Sequence, residues 1–383
     1  MSFKIINFDN DQVNIKVLNV SEGASASLVG EGTYKDKNIY LKLFTNCKSQ
    51  GLLYEKKLYE YLLRDFNKNE DKKNFFIEPL KTFEITYNDS LSYVKYIKNL
   101  IKNKTIRTPV TNLYGIITMN NKGINLINII YNLIVDNDNN YIKILFFNLL
   151  YIIYILNIKL KIIHNDLHFN NIIYINEDSN INYDFESIKI TLKNNYKLKV
   201  FDYDYSYTKE IGINEIIENE ICTELYGTCN YITKKDIWTL LVNLILIYTQ
   251  NKFDDKTEIF LFDIIKTISN DSKYIELFID TIMKSSKIHT HRLCQIDKDE
   301  KTFLDKCGED FDIYKNLDIK DIIIKYYNKY IKDIITSNEN KKETDSESDD
   351  IEYYKYQDYH YQRDDDLFYK KYLKYKMKYN NIK

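Results

Sequence analysis

Two hydropathy patterns follow each other in the first part of the chain. In residues 2–44, apolar and polar residues alternate in short runs, separated by turn signals such as Gly30–Gly32 and Lys35–Asn38. This alternation predicts β-strands. In residues 50–66 the apolar residues recur at a helical spacing instead. The residues available for one face of this predicted helix are Leu53, Leu58, Tyr61 and Leu62.

The remaining chain changes from strand-like to helical patterns and back again. The predicted strands are residues 75–87, 113–119, 172–175 and 198–201. The predicted helices are residues 126–134 and 141–161, and the chain is helical from 235 to about 335. The polar stretch 176–195 is predicted to be a loop or insertion. A β-rich part followed by a helical part predicts an α+β fold with a cleft between the two parts.

Composition and charge exclude several classes of function. Of the 383 residues, 44% are hydrophobic and 29% are charged, as in an ordinary soluble globular protein. The net charge of −2 provides no basic field for nucleic acid or a membrane, and only four arginines accompany fifty lysines. We therefore expect no nucleic-acid partner. The five scattered cysteines contain no CxxC pair, which argues against a zinc site or a disulfide framework and indicates a reducing compartment.

The pattern also predicts how the chain is divided. The apolar stretch 144–156 is too short to span a bilayer, so we expect a buried helix and no membrane span. Residues 337–350 contain no aromatic or aliphatic residue and predict an acidic disordered linker. Residues 351–383 form a Tyr/Lys-rich tail that is a candidate partner-binding segment. The folded domain is therefore predicted to comprise residues 1–336.

Two features of the β-rich part are candidates for chemistry. The run Val20–Leu28 holds both alanines of the chain, and its small residues would let backbone amides approach phosphate oxygens. A tight hairpin is the alternative. Lys42 lies within an apolar strand pattern, where it is either exposed at a sheet edge or directed into a cleft against a carboxylate. Glu55 on the next predicted helix is the best candidate for that carboxylate, and Glu60 is the alternative.

Two polar clusters follow the long apolar helix. In the first, Asp166, His168 and Asn171 fall in a loop between an apolar helix and an apolar strand. A simple polar turn is one alternative, and a His/Asp metal site is another, although no third ligand of matching character is nearby. In the second, Asp202 and Asp204 directly follow a short apolar strand. Carboxylates at a strand end suit Mg²⁺, which prefers oxygen ligands, and an acidic turn is the alternative.

Taken in chain order, these residues resemble the signature of the protein kinase-like superfamily. The slots of the glycine-rich loop are occupied by Ser21, Gly23, Ala26 and Leu28. Lys42 matches the strand lysine of V-A-I-K, with Glu55 as its helix partner. Asp166 and Asn171 match the catalytic-loop pattern D-x-x-x-x-N, and Asp202 matches the aspartate of D-F-G.

Further motifs extend the resemblance to roughly residues 15–330. Residues 116–119, ending in Met119, are similar to the strand and hinge that hold adenine. The segment 226–231, Tyr-Gly-Thr-Cys-Asn-Tyr, is similar to the G-T-x-x-Y of an activation segment. Residues 235–240 contain the only Trp of the chain and resemble the D-x-W-S-x-G start of the buried helix of the large lobe.

The resemblance implies a fold and a set of roles. It implies a bilobal kinase-like fold, with a β-rich N-lobe of about residues 1–118, a helical C-lobe of about 122–336, and a nucleotide cleft between them. It implies ATP and Mg²⁺ as cofactors. The residues implied at the nucleotide are Ser21, Gly23, Ala26, Leu28, Lys42, Glu55 and Met119. The implied metal ligands are Asn171 and Asp202, and the implied catalytic residues are Asp166, His168 and Asn171.

Several departures from the kinase pattern bear on activity. Asn165 replaces the arginine of H-R-D, so activity should not depend on a phosphorylated activation segment. His168 replaces the catalytic-loop lysine and would contact the γ-phosphate with less charge. Asp204 replaces the glycine of D-F-G, and no A-P-E follows the segment 226–231.

Three functions stay open at this point. The first is a divergent serine/threonine protein kinase acting on a protein substrate. The second is a small-alcohol kinase, because H-N-D-L and F-D-Y-D-Y are similar to segments of choline and aminoglycoside kinases. The third is a pseudokinase scaffold. The H-N-D-L-H loop and the composition also resemble divergent kinases of giant DNA viruses. The expected location is cytoplasmic, in an infected host cell or in a virion if the protein is viral.

Overall fold

The computed structural model describes most of the first 336 residues. The described ranges are 5–20, 27–45, 50–64, 66–86, 112–214, 234–271, the single positions 275 and 279, and 317–336. The predicted sites Ser21, Gly23 and Ala26 lie outside these ranges, as do the segment 226–231, the linker 337–350 and the tail 351–383.

A six-stranded antiparallel sheet occupies the N-terminal part, as the alternating pattern predicts. Its strands are β1 (Ile5–Phe8), β2 (Asp11–Val20), β3 (Ser27–Tyr34), β4 (Lys37–Thr45), β5 (Pro79–Thr86) and β6 (Asn112–Met119). They lie in the order β1-β2-β3-β4-β6-β5. Two helices, α1 (Gln50–Leu63) and α2 (Glu70–Phe75), connect β4 to β5. The inward residues of the strands form a small apolar core that includes Leu28, Leu41 and Leu43.

Helices dominate the rest of the described chain. They are α3 (Leu126–Asp136), α4 (Asn139–Tyr154, continued by a π-helical turn, Ile155–Lys159), α5 (Lys235–Gln250), α6 (Asp255–Ile268) and α7 (Ile319–Tyr326, with a π-helical turn, Tyr327–Ile331). Among the described residues, one helix, Asn139–Lys159, is long and apolar enough to cross a membrane, but 78% of its apolar window is buried inside the protein. It is the central core helix, because its side chains pack against those of the other helices.

The polar stretch 176–195 corrects one prediction. It forms a β-hairpin of β9 (Ser179–Phe185) and β10 (Ile188–Asn194) rather than a loop. Ile181, Tyr183 and Phe185 alternate with exposed residues, so the hairpin has one buried face. The Tyr183 ring lies 5.0 Å from the ring of Phe147 on α4. The abundance of Asn and Lys hid this two-residue period in the sequence.

A three-stranded sheet carries the polar clusters. It consists of β7 (Ile124–Asn125), β8 (Ile172–Ile175) and β11 (Lys197–Val200), in the order β11-β8-β7. The structure is thus a mixed α/β protein with a β-rich N-terminal sheet and helices later in the chain. Residues Met1–Ile335 form one compact unit of the chain. The bounds of the lobes, linker and tail, and the bilobal arrangement, stay predictions.

Candidate functional site

Lys42 connects three distant parts of the chain. It lies in the middle of β4, opposite Val29 on β3 and Ile116 on β6. Its Nζ atom is 2.7 Å from Glu55 Oε2 on α1 and 2.8 Å from Asp202 Oδ1, just after β11. Only 18% of the Lys42 side chain is exposed. The lysine is therefore directed inward and is not a solvent-facing residue of an edge strand.

The helix glutamate that pairs with Lys42 is Glu55 and not Glu60. Glu55 is almost completely buried, and its Oε1 atom also accepts a hydrogen bond from the Tyr203 backbone N–H at 3.3 Å. Glu60 instead pairs with Lys56 at 2.6 Å. The two glutamates are five residues apart, which at 3.6 residues per turn places their side chains about 140° apart around the helix axis. They therefore point in different directions.

The charges around Lys42 shift each other's ionisation. Burial by itself would lower the pKa of the Lys42 ammonium, but Asp202 and Glu55 outweigh burial and raise this pKa. Burial opposes ionisation of Asp202, yet the ammonium of Lys42 holds the pKa of Asp202 below its ordinary value. Burial raises the pKa of Asp204 well above its usual range, and the charge of Asp202 adds to this shift. The site therefore favours a charged Lys42–Asp202 pair beside a second, more easily protonated carboxyl group.

Asp236 anchors the start of the loop that contains Asp166, His168 and Asn171. This residue lies in the first turn of α5 and is fully buried. Its carboxylate accepts hydrogen bonds from the backbone N–H groups of His164 and Asn165 at 2.9 and 2.8 Å, and from Asn157 Nδ2 at 2.8 Å. From the sequence, Asp236 is recognised only as part of the motif at residues 235–240. The feature that could have identified its role is an aspartate in the first turn of a strongly apolar helix.

Hydrogen bonds to backbone carbonyl oxygens join the start of this loop, at His164 and Asn165, to the segment that contains Asp202. His164 Nε2 lies 3.0 Å from the Phe201 carbonyl oxygen, and Asn165 Nδ2 donates to the Tyr205 carbonyl oxygen at 2.9 Å. Both Asn165 and Asp202 adopt a φ of 64°, in the left-handed region that Asn and Asp tolerate better than most residues. Backbone strain of this kind is held in place by surrounding contacts and often occurs at functional sites.

Asp166, His168 and Asn171 lie together, as their spacing predicts. Asn171 Nδ2 donates to Asp166 O at 2.9 Å and lies 3.3 Å from Asp166 Oδ2. His168 Nε2 is 3.4 Å from the same Oδ2 atom. The other carboxylate oxygen, Oδ1, is buried and has no hydrogen-bond partner among the described residues. Asp166 therefore has one oxygen that is held by Asn171 and one buried oxygen that has no hydrogen-bond partner among the described residues.

Asp202 and Asn171 are the residues that fit a bound cation. The Asn171 amide nitrogen donates to Asp166, so a cation at this site would be ligated through the Asn171 amide oxygen. The described residues contain no group of three or more His, Cys, Asp or Glu side chains that could hold a metal ion by themselves. Mg²⁺ is commonly bound by one or two carboxylates together with the phosphates of a substrate. The donor set thus fits a cation that is shared with a nucleotide.

Other predicted nucleotide residues are not brought to this cluster. Leu28 is completely buried in the core of the N-terminal sheet, so it has no exposed surface for a ligand. The backbone N–H of Met119 donates to the Glu78 carbonyl oxygen at 2.9 Å, so this amide is already bonded. Met119 itself pairs with Ile39 of β4 in the sheet.

Comparisons with known proteins add little to this geometry. No protein-family model and no curated protein matches the chain. One similar solved structure is the crystal structure of a kinase domain, with a TM-score of 0.33 and 14% sequence identity. The similarity covers 70% of this chain and 66% of that chain, which is just under two thirds of its length. At this TM-score the similarity carries no argument, so the functional assignment has to rest on the site.

Proposed function

We propose that this protein is a phosphotransferase that moves the γ-phosphoryl group of ATP to a hydroxyl group, most simply that of a serine or threonine in a protein. The observation that carries the proposal is the Lys42 ammonium between Glu55 and Asp202, at 2.7 and 2.8 Å. Lys42 and Glu55 lie on a strand and the helix that follows it, and Asp202 follows a strand 160 residues after Lys42. A cation held in this way is suited to orient nucleotide phosphates.

Each residue of the site has a role in this proposal. Lys42, fixed by Glu55, binds the phosphates of ATP. Asp202 and Asn171 would hold Mg²⁺, which neutralises phosphate charge when bound. Asp166 Oδ1 accepts the proton of the attacking hydroxyl group or orients that group for in-line attack. Phosphoryl transfer needs positioning and charge stabilisation more than covalent chemistry, and these five side chains supply both.

The two alternatives are distinguished by the acceptor. A small-alcohol kinase would use the same residues, and the F-D-Y-D-Y segment supports it. A pseudokinase would bind nucleotide without transfer, and the presence of the complete Lys42, Glu55, Asp166, Asn171 and Asp202 set argues against it. The location in an infected cell or a virion rests on the H-N-D-L-H resemblance alone and remains part of the proposal.

The first test is a thermal melt with and without ATP and Mg²⁺, on the wild type and on Asp202→Ala. Ligand at 100 times Kd stabilises a protein by about 2.7 kcal/mol. We expect a Mg²⁺-dependent rise in Tm of roughly 2–4 °C, lost in the variant. Asp184→Ala, which changes an exposed carboxylate of the β9–β10 hairpin, is the matched control and should keep the shift. No shift at millimolar ATP in the wild type would contradict the proposal.

The second test is transfer of radiolabelled γ-phosphate to a protein mixture and, separately, to choline and an aminoglycoside. Label on protein supports the protein kinase, and label on a small alcohol supports the alternative. Asp166→Asn should reduce transfer at least about 100-fold while ATP binding is kept. Unchanged turnover in this variant would show that Asp166 does not have the assigned role.

A further inference from the structure

His168 is held between its own loop and the Asp166 carboxylate. Its side chain is 12% exposed. The Nδ1 atom accepts a hydrogen bond from the Asn170 backbone N–H at 3.2 Å, and the Nε2 atom lies 3.4 Å from Asp166 Oδ2. Both ring nitrogens thus face specific protein atoms.

The Asn170 contact determines which nitrogen of a neutral His168 ring carries the proton. A backbone N–H can only donate, so the Nδ1 atom that faces it has to accept. In a neutral imidazole one nitrogen donates and the other accepts. The proton of a neutral ring is therefore on Nε2, the nitrogen that lies 3.4 Å from Asp166 Oδ2. A hydrogen bond between the backbone and one ring nitrogen often determines in this way whether the other nitrogen is protonated.

The consequence for Asp166 is an asymmetry between its two oxygens. Oδ2 lies within reach of two N–H donors, His168 Nε2 at 3.4 Å and Asn171 Nδ2 at 3.3 Å. Oδ1 is buried and has no partner among the described residues. These contacts restrict rotation of the carboxylate about the Cβ–Cγ bond of Asp166. Oδ1 is then the oxygen left for the substrate hydroxyl.

We propose that His168 is a positioning residue, which fixes the Asp166 carboxylate through its Nε2–H group so that Oδ1 meets the substrate hydroxyl. This inference rests on the proposed function. It differs from the expectation that His168 contacts the γ-phosphate, because Nε2 lies 3.4 Å from Asp166 Oδ2.

Two substitutions separate the two sides of the ring. In His168→Gln, the side-chain amide reaches the position of Nε2 and keeps an N–H donor for Asp166. In His168→Asn, the shorter amide reaches only the position of Nδ1, so it keeps the acceptor for Asn170 and loses the donor. A third variant, His168→Lys, restores the cation of the usual kinase loop. We would measure kcat, KM for ATP and Tm for each variant and the wild type.

The expected result is a change in kcat alone. His168→Asn should lower kcat about 10- to 100-fold, since small misplacements of a catalytic group have effects of this size. KM for ATP and Tm should stay close to those of the wild type. His168→Gln should recover kcat to within about threefold of the wild type, because the donor is restored. His168→Lys should be as slow as His168→Asn.

Three results would overturn the inference while leaving the proposed function intact, and the first two concern kcat alone. One is an active wild type whose His168→Asn variant keeps its kcat. The other is a His168→Lys variant that is as active as the wild type or more active, which would indicate a phosphate contact. An equal loss in the Gln and Asn variants together with a lowered Tm would show a purely structural role and overturn the inference too. A wild type that transfers no phosphate overturns the proposed function and this inference together.

Discussion

Two lysines in apolar strands of this protein have opposite electrostatic environments. Lys42 in β4 lies between the carboxylates of Glu55 and Asp202, at 2.7 and 2.8 Å. Lys199 in β11 donates to the backbone carbonyl oxygen of Lys73 in the last turn of α2. Within the described part of the chain, Lys199 is paired with no carboxylate.

The pKa values of the two lysines move in opposite directions as a result. Burial lowers the pKa of Lys199 to about 8, and the positive charge of Lys197 adds to this effect. Burial acts in the same direction on Lys42, but Asp202 and Glu55 outweigh it and raise the pKa. The comparison shows that a buried lysine is not by itself a sign of function. The carboxylates around Lys42 are what distinguish the lysine that we propose binds phosphate from a lysine with a structural role alone.

The largest expected effect comes from removing each lysine in turn. Lys42→Met should reduce phosphate transfer at least about 100-fold and abolish the ATP-induced rise in Tm, since it removes the cation that lies between Glu55 and Asp202. Lys199→Met, the matched control, should leave transfer within about threefold. The measurement is a transfer assay with parallel melts. Equal losses in the two variants would show that the two lysines do not differ in the way proposed.

The next effect is on stability and concerns Lys199. Its folded pKa of about 8 lies below the 10.5 of an ordinary lysine, so the unfolded chain binds more protons between these pH values. The free energy of unfolding should therefore rise as the pH increases from 8 to 10.5, by up to about 3 kcal/mol. Urea titrations at several pH values on the wild type and Lys199→Met measure it, because the variant lacks this contribution. Parallel pH curves for the two proteins would contradict the assignment.

The smallest expected effect separates the two glutamates of α1. Glu55→Gln keeps the size of the side chain but weakens the hold on Lys42, so transfer should fall about tenfold. Glu60→Gln removes the charge that pairs with Lys56 and keeps an oxygen for Thr82, so it should change transfer by less than about twofold. A larger loss in Glu60→Gln than in Glu55→Gln would reverse the pairing described above.

The sequence by itself predicted what local patterns record. The alternation in residues 2–44 predicted strands, and the apolar spacing predicted the core helix that includes residues 144–156. The cluster of Asp166, His168 and Asn171 was also predictable, because all three residues belong to one short loop. In each case the determining interactions connect residues that are close in the chain.

The hairpin at residues 179–194 was not predicted, because the interactions that determine it connect residues that are distant in the chain. Its strands contain few apolar residues, and their burial depends on the side chains of α4, such as Phe147, that cover one face. A two-residue period in a stretch rich in Asn and Lys is weak without knowledge of the surface against which it packs.

The sequence predicted Glu55 as the carboxylate partner of Lys42, but only the tertiary structure decided that Asp202 pairs with this lysine as well. Leu41-Lys42-Leu43 and Leu198-Lys199-Val200 are nearly the same local sequence, so the residues next to each lysine do not distinguish the two environments. Lys42 and Asp202 are 160 residues apart. Electrostatic interactions depend on distance in space and on burial, and only the packing of the sheet, α1 and β11 brings these charges together. The sequence therefore determined the elements and the residue types of the site, and the tertiary structure decided which of them interact.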